Sequence, residues 1–155
     1  MENTRLRILV PVDGSECSLQ ALDFAVDLAV KLRGDIVVCH VIDLARAAVL
    51  SGGEGALVAG CLAEVRNEAG AILEEAVKRA GARVPVSQQT AVGDPVAEIR
   101  HVASTVDAAF VVMGSHGRNG LSRLLMGSVA EGVVRGSAVP VMVVPVEGSL
   151  AGARI

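Results

Sequence analysis

Apolar residues in this chain fall into short unbroken runs, separated by longer stretches in which they recur every three or four positions. The first run, from Ile8 to Val12, ends at Asp13-Gly14-Ser15 and predicts a strand. Ala21, Ala25, Leu28, Ala29 and Leu32 then repeat at helical spacing and predict a helix closed by Gly34. The run from Asp35 to Ile42 is apolar on both faces and predicts a central second strand. From Leu44 to Gly60 the chain holds four glycines, with Arg46 and Glu54 as its charges. It reads as a partly helical connection, either a lid over a ligand or an insertion without consequence. A second helical stripe runs through Leu62, Val65, Ala69, Ile72, Leu73, Ala76 and Ala80 and stops at Gly81. The stretch from Arg83 to Thr90 predicts a third strand, with Pro85 and polar residues marking it as an edge. Asp94 caps a helix with Pro95 at its first position and Val96, Ile99 and Val102 facing inward. The run from Ala108 to Met113, a helical pattern from Val129 to Arg135, and the strand from Val139 to Val146 complete the chain.

Strands alternating with helices predict right-handed crossovers, and hence an α/β fold with a five-stranded parallel, doubly wound sheet and helices on both faces. The 155 residues suit one domain, 1–155. Hydrophobic residues at 52% and charged residues at 20% exclude disorder. Aromatics at 1% leave no stacking platform for single-stranded nucleic acid, and a net charge of -3 leaves no basic footprint for DNA or RNA. The apolar run after Arg5 and Arg7 is too short for a signal-peptide core, and no apolar stretch is long enough to cross a bilayer. Cys17, Cys39 and Cys61 form no C-x-x-C pair and read as reduced thiols of a cytoplasmic protein.

Candidate chemistry concentrates between Gly114 and Ser128: Gly114-Ser-His-Gly117-Arg-Asn-Gly120, then Gly127-Ser128. A strand, a glycine loop and a helix in that order let backbone N–H groups converge on an anion, aided by the unpaired donors and positive dipole end of the helix. The same residues admit a structural reading. Ser128 and Glu131 form an S-x-x-E capping box, and the glycines turn the chain. Gly132 and Gly136, inside the last helix, are expected to loosen it, at roughly 1 kcal/mol each against Ala. His116 in the loop either donates to a phosphate or packs locally.

The spacing Gly114-x2-Gly117-x9-Gly127-Ser128 resembles the nucleotide-binding signature of the universal stress protein family. Val10-Pro-Val-Asp13-Gly-Ser15, Gly93-Asp-Pro95 and Val139-Pro-Val-Met-Val-Val-Pro145 resemble other segments of that family, in the same order. The resemblance implies strand order 3-2-1-4-5, a Rossmann-like, adenine nucleotide alpha hydrolase-like sheet. In such sheets ligands bind beyond the carboxyl ends of the strands at the switch point, here between strands 1 and 4, where Asp13 and Gly114 lie. The resemblance further implies that Pro11, Val12 and Asp13 meet the nucleoside, and that the Val41 backbone faces adenine. Met113 and Gly114 would lie along sugar and phosphates, with Gly117, Gly127, Ser128 and Val129 holding the phosphates. Asp13 alternatively forms an Asx turn opening the first helix, or holds Mg²⁺. The family also implies a homodimer in which the last strands, Val139 to Val146, pair across a two-fold axis.

Other nucleotide sites are excluded. Lys31 and Lys78 are the only lysines and neither follows a glycine, so there is no Walker-type loop. No G-x-G-x-x-G follows the first strand, and the histidines show no metal spacing. The expected function is an ATP- or AMP-binding universal stress protein acting as a sensor or regulator of a stress response. The alternatives are a slow Mg²⁺-dependent ATP hydrolase and a ligand-free dimeric interaction module. The sequence does not choose among ATP, AMP and cyclic AMP.

Overall fold

The computed structural model describes residues 5–50, 55–116 and 126–145. In chain order the elements are β1 (Arg7–Pro11), α1 (Glu16–Leu32), β2 (Asp35–Ile42), α2 (Leu44–Leu50), α3 (Gly55–Ala80), β3 (Val86–Val92), α4 (Pro95–Thr105), β4 (Phe110–Gly114), α5 (Ser128–Gly136) and β5 (Val141–Val144). The strands form one sheet in the order β3-β2-β1-β4-β5, and every pairing is parallel. The expected doubly wound sheet of order 3-2-1-4-5 is therefore the observed one.

Its two faces bury separate apolar layers, as alternating side chains of a covered parallel sheet must. Ile8, Val10, Val12, Ile36 and Val38 point to one face, under Leu22 and Ala25 of α1 and Leu73 and Ala76 of α3. Leu9, Val37, Cys39 and Val111 point to the other, under Ile99 and Val102 of α4 and Val133 of α5. Arg79 of α3 joins Asp23 of α1 at 2.7 Å, and Arg83 joins Asp27 at 2.7 Å. These pairs are solvated and add little beyond registering the two helices.

Several boundaries differ from the sequence expectation, each for a local reason. Arg33, not Gly34, takes the left-handed cap position of α1, at φ 54°. Gly34 instead admits the Leu6 carbonyl oxygen, 2.7 Å from where a Cβ would stand. The connection after β2 is more helical than its glycines suggest. Asp43 Oδ1 accepts from the N–H groups of Ala45 and Arg46 and starts α2, and α3 already begins at Gly55. The third strand starts at Val86 rather than Arg83. Pro85 has no N–H, and contributes only its carbonyl, which accepts from Ile36 N–H at 2.9 Å. The last strand is confined to four residues between Pro140 and Pro145.

Candidate functional site

The carboxyl ends of β1 and β4 lie side by side, and the turns that leave them are tied to each other. After β1, Asp13 Oδ1 accepts from the Ser15 N–H at 2.9 Å and from the Ser15 hydroxyl. This is the Asx turn, so that reading of Asp13 holds in the structure. Ser15 caps α1 by accepting from Ser18 N–H. The buried Ser18 hydroxyl donates to the Ser15 carbonyl at 2.8 Å and accepts from Asp13 N–H at 3.3 Å. The turn is thereby fixed from both sides.

The first turn of α1 packs on the end of β4. A Cβ placed on Gly114 would lie 2.7 Å from Cys17 Sγ and 2.9 Å from the Cys17 carbonyl oxygen. Glycine at 114 is thus required by the approach of α1, a reason unrelated to any phosphate. Next along the chain, Ser115 N–H donates to Val144 O at 3.0 Å and Ser115 O accepts from Gly127 N–H at 2.6 Å. Gly127 is therefore held beside Ser115, just past the carboxyl end of β4.

Gly127 is the N-cap of α5, with φ −63° and ψ 153°, and Ser128 is the first helical residue. The expected capping box is not formed. Ser128 sits one position too late to cap, Gly127 offers no side chain, and the Glu131 carboxylate joins Arg135 at 2.8 Å. The first N–H bonded within the helix is that of Glu131, to Gly127 O at 2.9 Å. The N–H groups of Ser128, Val129 and Ala130 precede it and form the donor cluster of the helix end. The Ser128 side chain is exposed there.

On the other side of β1, Val12 N–H donates to Cys39 O at 2.8 Å. Backbone groups of a parallel strand alternate between neighbours, so Val41, two residues on, directs its N–H and C=O the same way, past the last bond to β1. Ile42 faces the opposite neighbour, its carbonyl accepting from Gly93 N–H. His40 Nδ1 lies 2.8 Å from Val12 O. A carbonyl only accepts, so Nδ1 carries the proton and the imidazole pins the end of β1 to β2.

Pro11, Val12 and Asp13 thus lie at the end of β1, Val41 near the end of β2, Met113 and Gly114 at the end of β4, and Gly127, Ser128 and Val129 at the start of α5. Gly117, with Arg118 and Arg123, lies outside the described residues. The sequence reading did not place Cys17, Ser18 or His40 at the site, and gave Ser115 no role of its own. Their spacing carries no signal, because each acts across the fold or within a turn whose shape is set by tertiary packing. For a metal ion, Asp13 Oδ1 already serves the turn. Among the described residues no group of three or more His, Cys, Asp or Glu is arranged to hold one. Nor is any helix among them long and apolar enough to cross a membrane.

A model of the universal stress protein family matches residues 4–145 of the chain. Universal stress protein MJ0531 of Methanocaldococcus jannaschii is 33% identical over 144 residues, covering 92% of this chain and 84% of its own. Among solved structures, a universal stress protein in complex with cAMP superimposes with a TM-score of 0.65 at 26% identity, over 92% of this chain and 98% of the other. The universal stress protein from Archaeoglobus fulgidus in complex with dAMP does so with a TM-score of 0.67 at 25% identity, over 90% and 98%.

Proposed function

As the chain belongs to the universal stress protein family, we propose that it binds an adenine nucleotide, ATP or AMP, in the crevice between β1 and β4, and serves as a cytoplasmic regulator of a stress response. The observation that carries this reading is the Ser115–Gly127 backbone bond, which brings the donor cluster of the α5 N-terminus to the switch point of the sheet. Two relatives of the same fold hold adenine nucleotides, cAMP in one and dAMP in the other.

In this reading each residue has a role. The N–H and C=O of Val41 read the edge of adenine, and Val12 flanks the ring. The Asp13 carboxylate, held by its turn, faces the ribose. Met113 and Gly114 run beside the sugar and phosphates. The N–H groups of Ser128 and Val129, with the Ser128 hydroxyl, take the phosphate oxygens, and Gly127 keeps the approach open. The φ of −63° at Gly127 is one that any residue adopts, so glycine there serves space rather than backbone freedom. The site supplies binding rather than turnover, since no Walker lysine attends the phosphates. Where Mg²⁺ accompanies the nucleotide, its oxygens come chiefly from the phosphates and water. The regulator also forms a homodimer through β5, an edge strand of the sheet.

The test is to denature freshly purified protein, identify any released nucleotide, and titrate the stripped protein with ATP, AMP and cyclic AMP by calorimetry. Gly127→Val, which keeps an allowed backbone, is expected to fold and to lose binding. A folded Gly127→Val protein with undiminished affinity would put the site elsewhere.

A further inference from the structure

We propose that His116 is a further ligand-contacting residue, donating Nε2–H to a phosphate oxygen of the bound nucleotide, with Ser115 as the residue that positions it; this rests on the nucleotide-binding reading above. Among the described residues, His116 Nε2 is the one buried side-chain nitrogen or oxygen without a hydrogen-bond partner. Buried polar atoms are almost always paired, so an orphan next to the α5 N-cap points to a group that arrives with the ligand. Its place supports this. His116 follows Ser115, whose backbone bonds Val144 O on one side and Gly127 N–H on the other, so the imidazole starts beside the N-cap of α5.

The other ring nitrogen decides which chemistry Nε2 offers. Nδ1 lies 2.8 Å from Ser115 Oγ, and Ser115 Oγ lies 3.9 Å from Cys17 Sγ. Phosphate oxygens accept and do not donate, so Nε2 must carry the proton and Nδ1 must accept. The Ser115 hydroxyl then donates to Nδ1, and its lone pair is left for the weak Cys17 S–H donor. One chain of donors runs from the first turn of α1 through Ser115 and His116 to the ligand. None of these three side chains belongs to the glycine signature.

The phosphate is what separates this contact from a structural role. Wild-type protein, His116→Ala and Ser115→Ala are titrated with ATP and with adenosine. His116→Ala is expected to bind adenosine as the wild type does and ATP about 10-fold more weakly or worse, the range for a lost hydrogen bond to a charged group. His116→Gln, whose amide N–H reaches a similar point, should recover most of the difference. Ser115→Ala should weaken ATP by a few-fold and shift the imidazole towards the Nδ1–H tautomer, seen in ¹⁵N NMR of the ring. In the wild type, ATP should move the His116 Nε2–H resonance and adenosine should leave it. That measurement stands even where His116→Ala fails to fold. Unchanged ATP affinity in His116→Ala, or equal losses for ATP and adenosine, would overturn the proposal while leaving nucleotide binding intact. A wild type that binds neither ligand would overturn both.

Discussion

The β carbon that Gly132 lacks would stand 2.7 Å from Val96 Cγ2 and 3.1 Å from Val96 Cγ1. Gly132 is in α5 and Val96 is in the first turn of α4, so the glycine lets the two helices close on each other over the sheet. Glycine inside a helix normally weakens it, but here the missing side chain is filled by a valine. This contact gives Gly132 a packing role beside the propensity cost expected of it. Gly132→Ala gains roughly 1 kcal/mol of helix propensity and meets an overpacking cost of about 1–3 kcal/mol. Val96 is β-branched and stiff in a helix, with both methyls near the new carbon, so rotation gives no relief. Urea unfolding should show Gly132→Ala less stable than wild type by up to about 2 kcal/mol. The pair Gly132→Ala with Val96→Ala should be more stable than the two separate losses sum to. A Gly132→Ala protein more stable than wild type would show that propensity dominates.

Ser128 separates capping from binding. It is the first residue of α5, not the cap, and the cap position makes no side-chain bond. Ser128→Ala should therefore change stability by less than about 0.5 kcal/mol, below the usual loss of a serine cap. ATP affinity should fall several-fold. Thermal unfolding without nucleotide, set beside calorimetric titration, checks both. A stability loss near 1 kcal/mol or more with intact affinity would return Ser128 to a purely structural role.

Cys39 couples the core to alkaline pH. Burial, with Glu98 adding in the same direction, pushes its thiol from 9.0 up to about 12. The folded state therefore keeps the neutral thiol while the unfolded chain ionises first. The stability this contributes is whole below pH 9 and is lost as pH rises towards 12. At 1.36 kcal/mol per pH unit the loss is about 4 kcal/mol at most. With no tyrosine and only two lysines in the chain, few other groups titrate there. Unfolding free energies of the wild type from about pH 8 to about 11, across the lower part of that window, should fall more steeply than those of Cys39→Ala, whatever the offset between them. Parallel profiles would mean that the thiol ionises alike in both states.

The periodicity of the chain carries most of the fold. β2 was readable to its ends because Asp35 to Ile42 is apolar on both faces and only a central strand is. Asp94 and Pro95 likewise mark the start of α4, where Asp94 Oδ1 accepts from Ala97 N–H at 2.9 Å. What the sequence misplaced depends on neighbours remote in the chain. Gly34 resembled a helix stop and is a contact with Leu6. Gly114 resembled a phosphate glycine and is also a contact with Cys17. The capping box at Ser128 and Glu131 failed by one residue because Ser115 O holds Gly127 N–H and sets where α5 begins. At the site, strand ends and helix start were legible as positions. The polar links among Asp13, Ser15, Ser18, Ser115 and His116 were not, since turns of this kind are decided by packing rather than by local pattern.

The outer edge of β5, last in the strand order, supports the last prediction. Pro140 O accepts from Val111 N–H and Val144 O from Ser115 N–H, so these residues and Met142 turn their backbone groups to β4. By the alternation of a parallel ladder, Val141 and Val143 turn theirs outward. Pro145 continues the outward set without an N–H, and Met142 is 39% exposed on the strand. Among the described residues the edge is therefore short, apolar and uncharged, with two N–H donors directed away from the sheet, a surface suited to pairing with a second copy across a two-fold axis. Val143→Pro tests this cleanly. It removes one outward N–H and no bond to β4, and proline is tolerated on edge strands. Light scattering coupled to size exclusion should find the wild type as a dimer of 15.8 kDa chains. Val143→Pro, and Val143→Asp by charge, should be folded monomers. Met142→Pro, which deletes an inward donor, should instead lose stability, by up to about 3 kcal/mol if the ladder bond and the strand both fail. A wild type that is monomeric at micromolar concentration would show that Pro140 and Pro145 alone suffice to guard the edge.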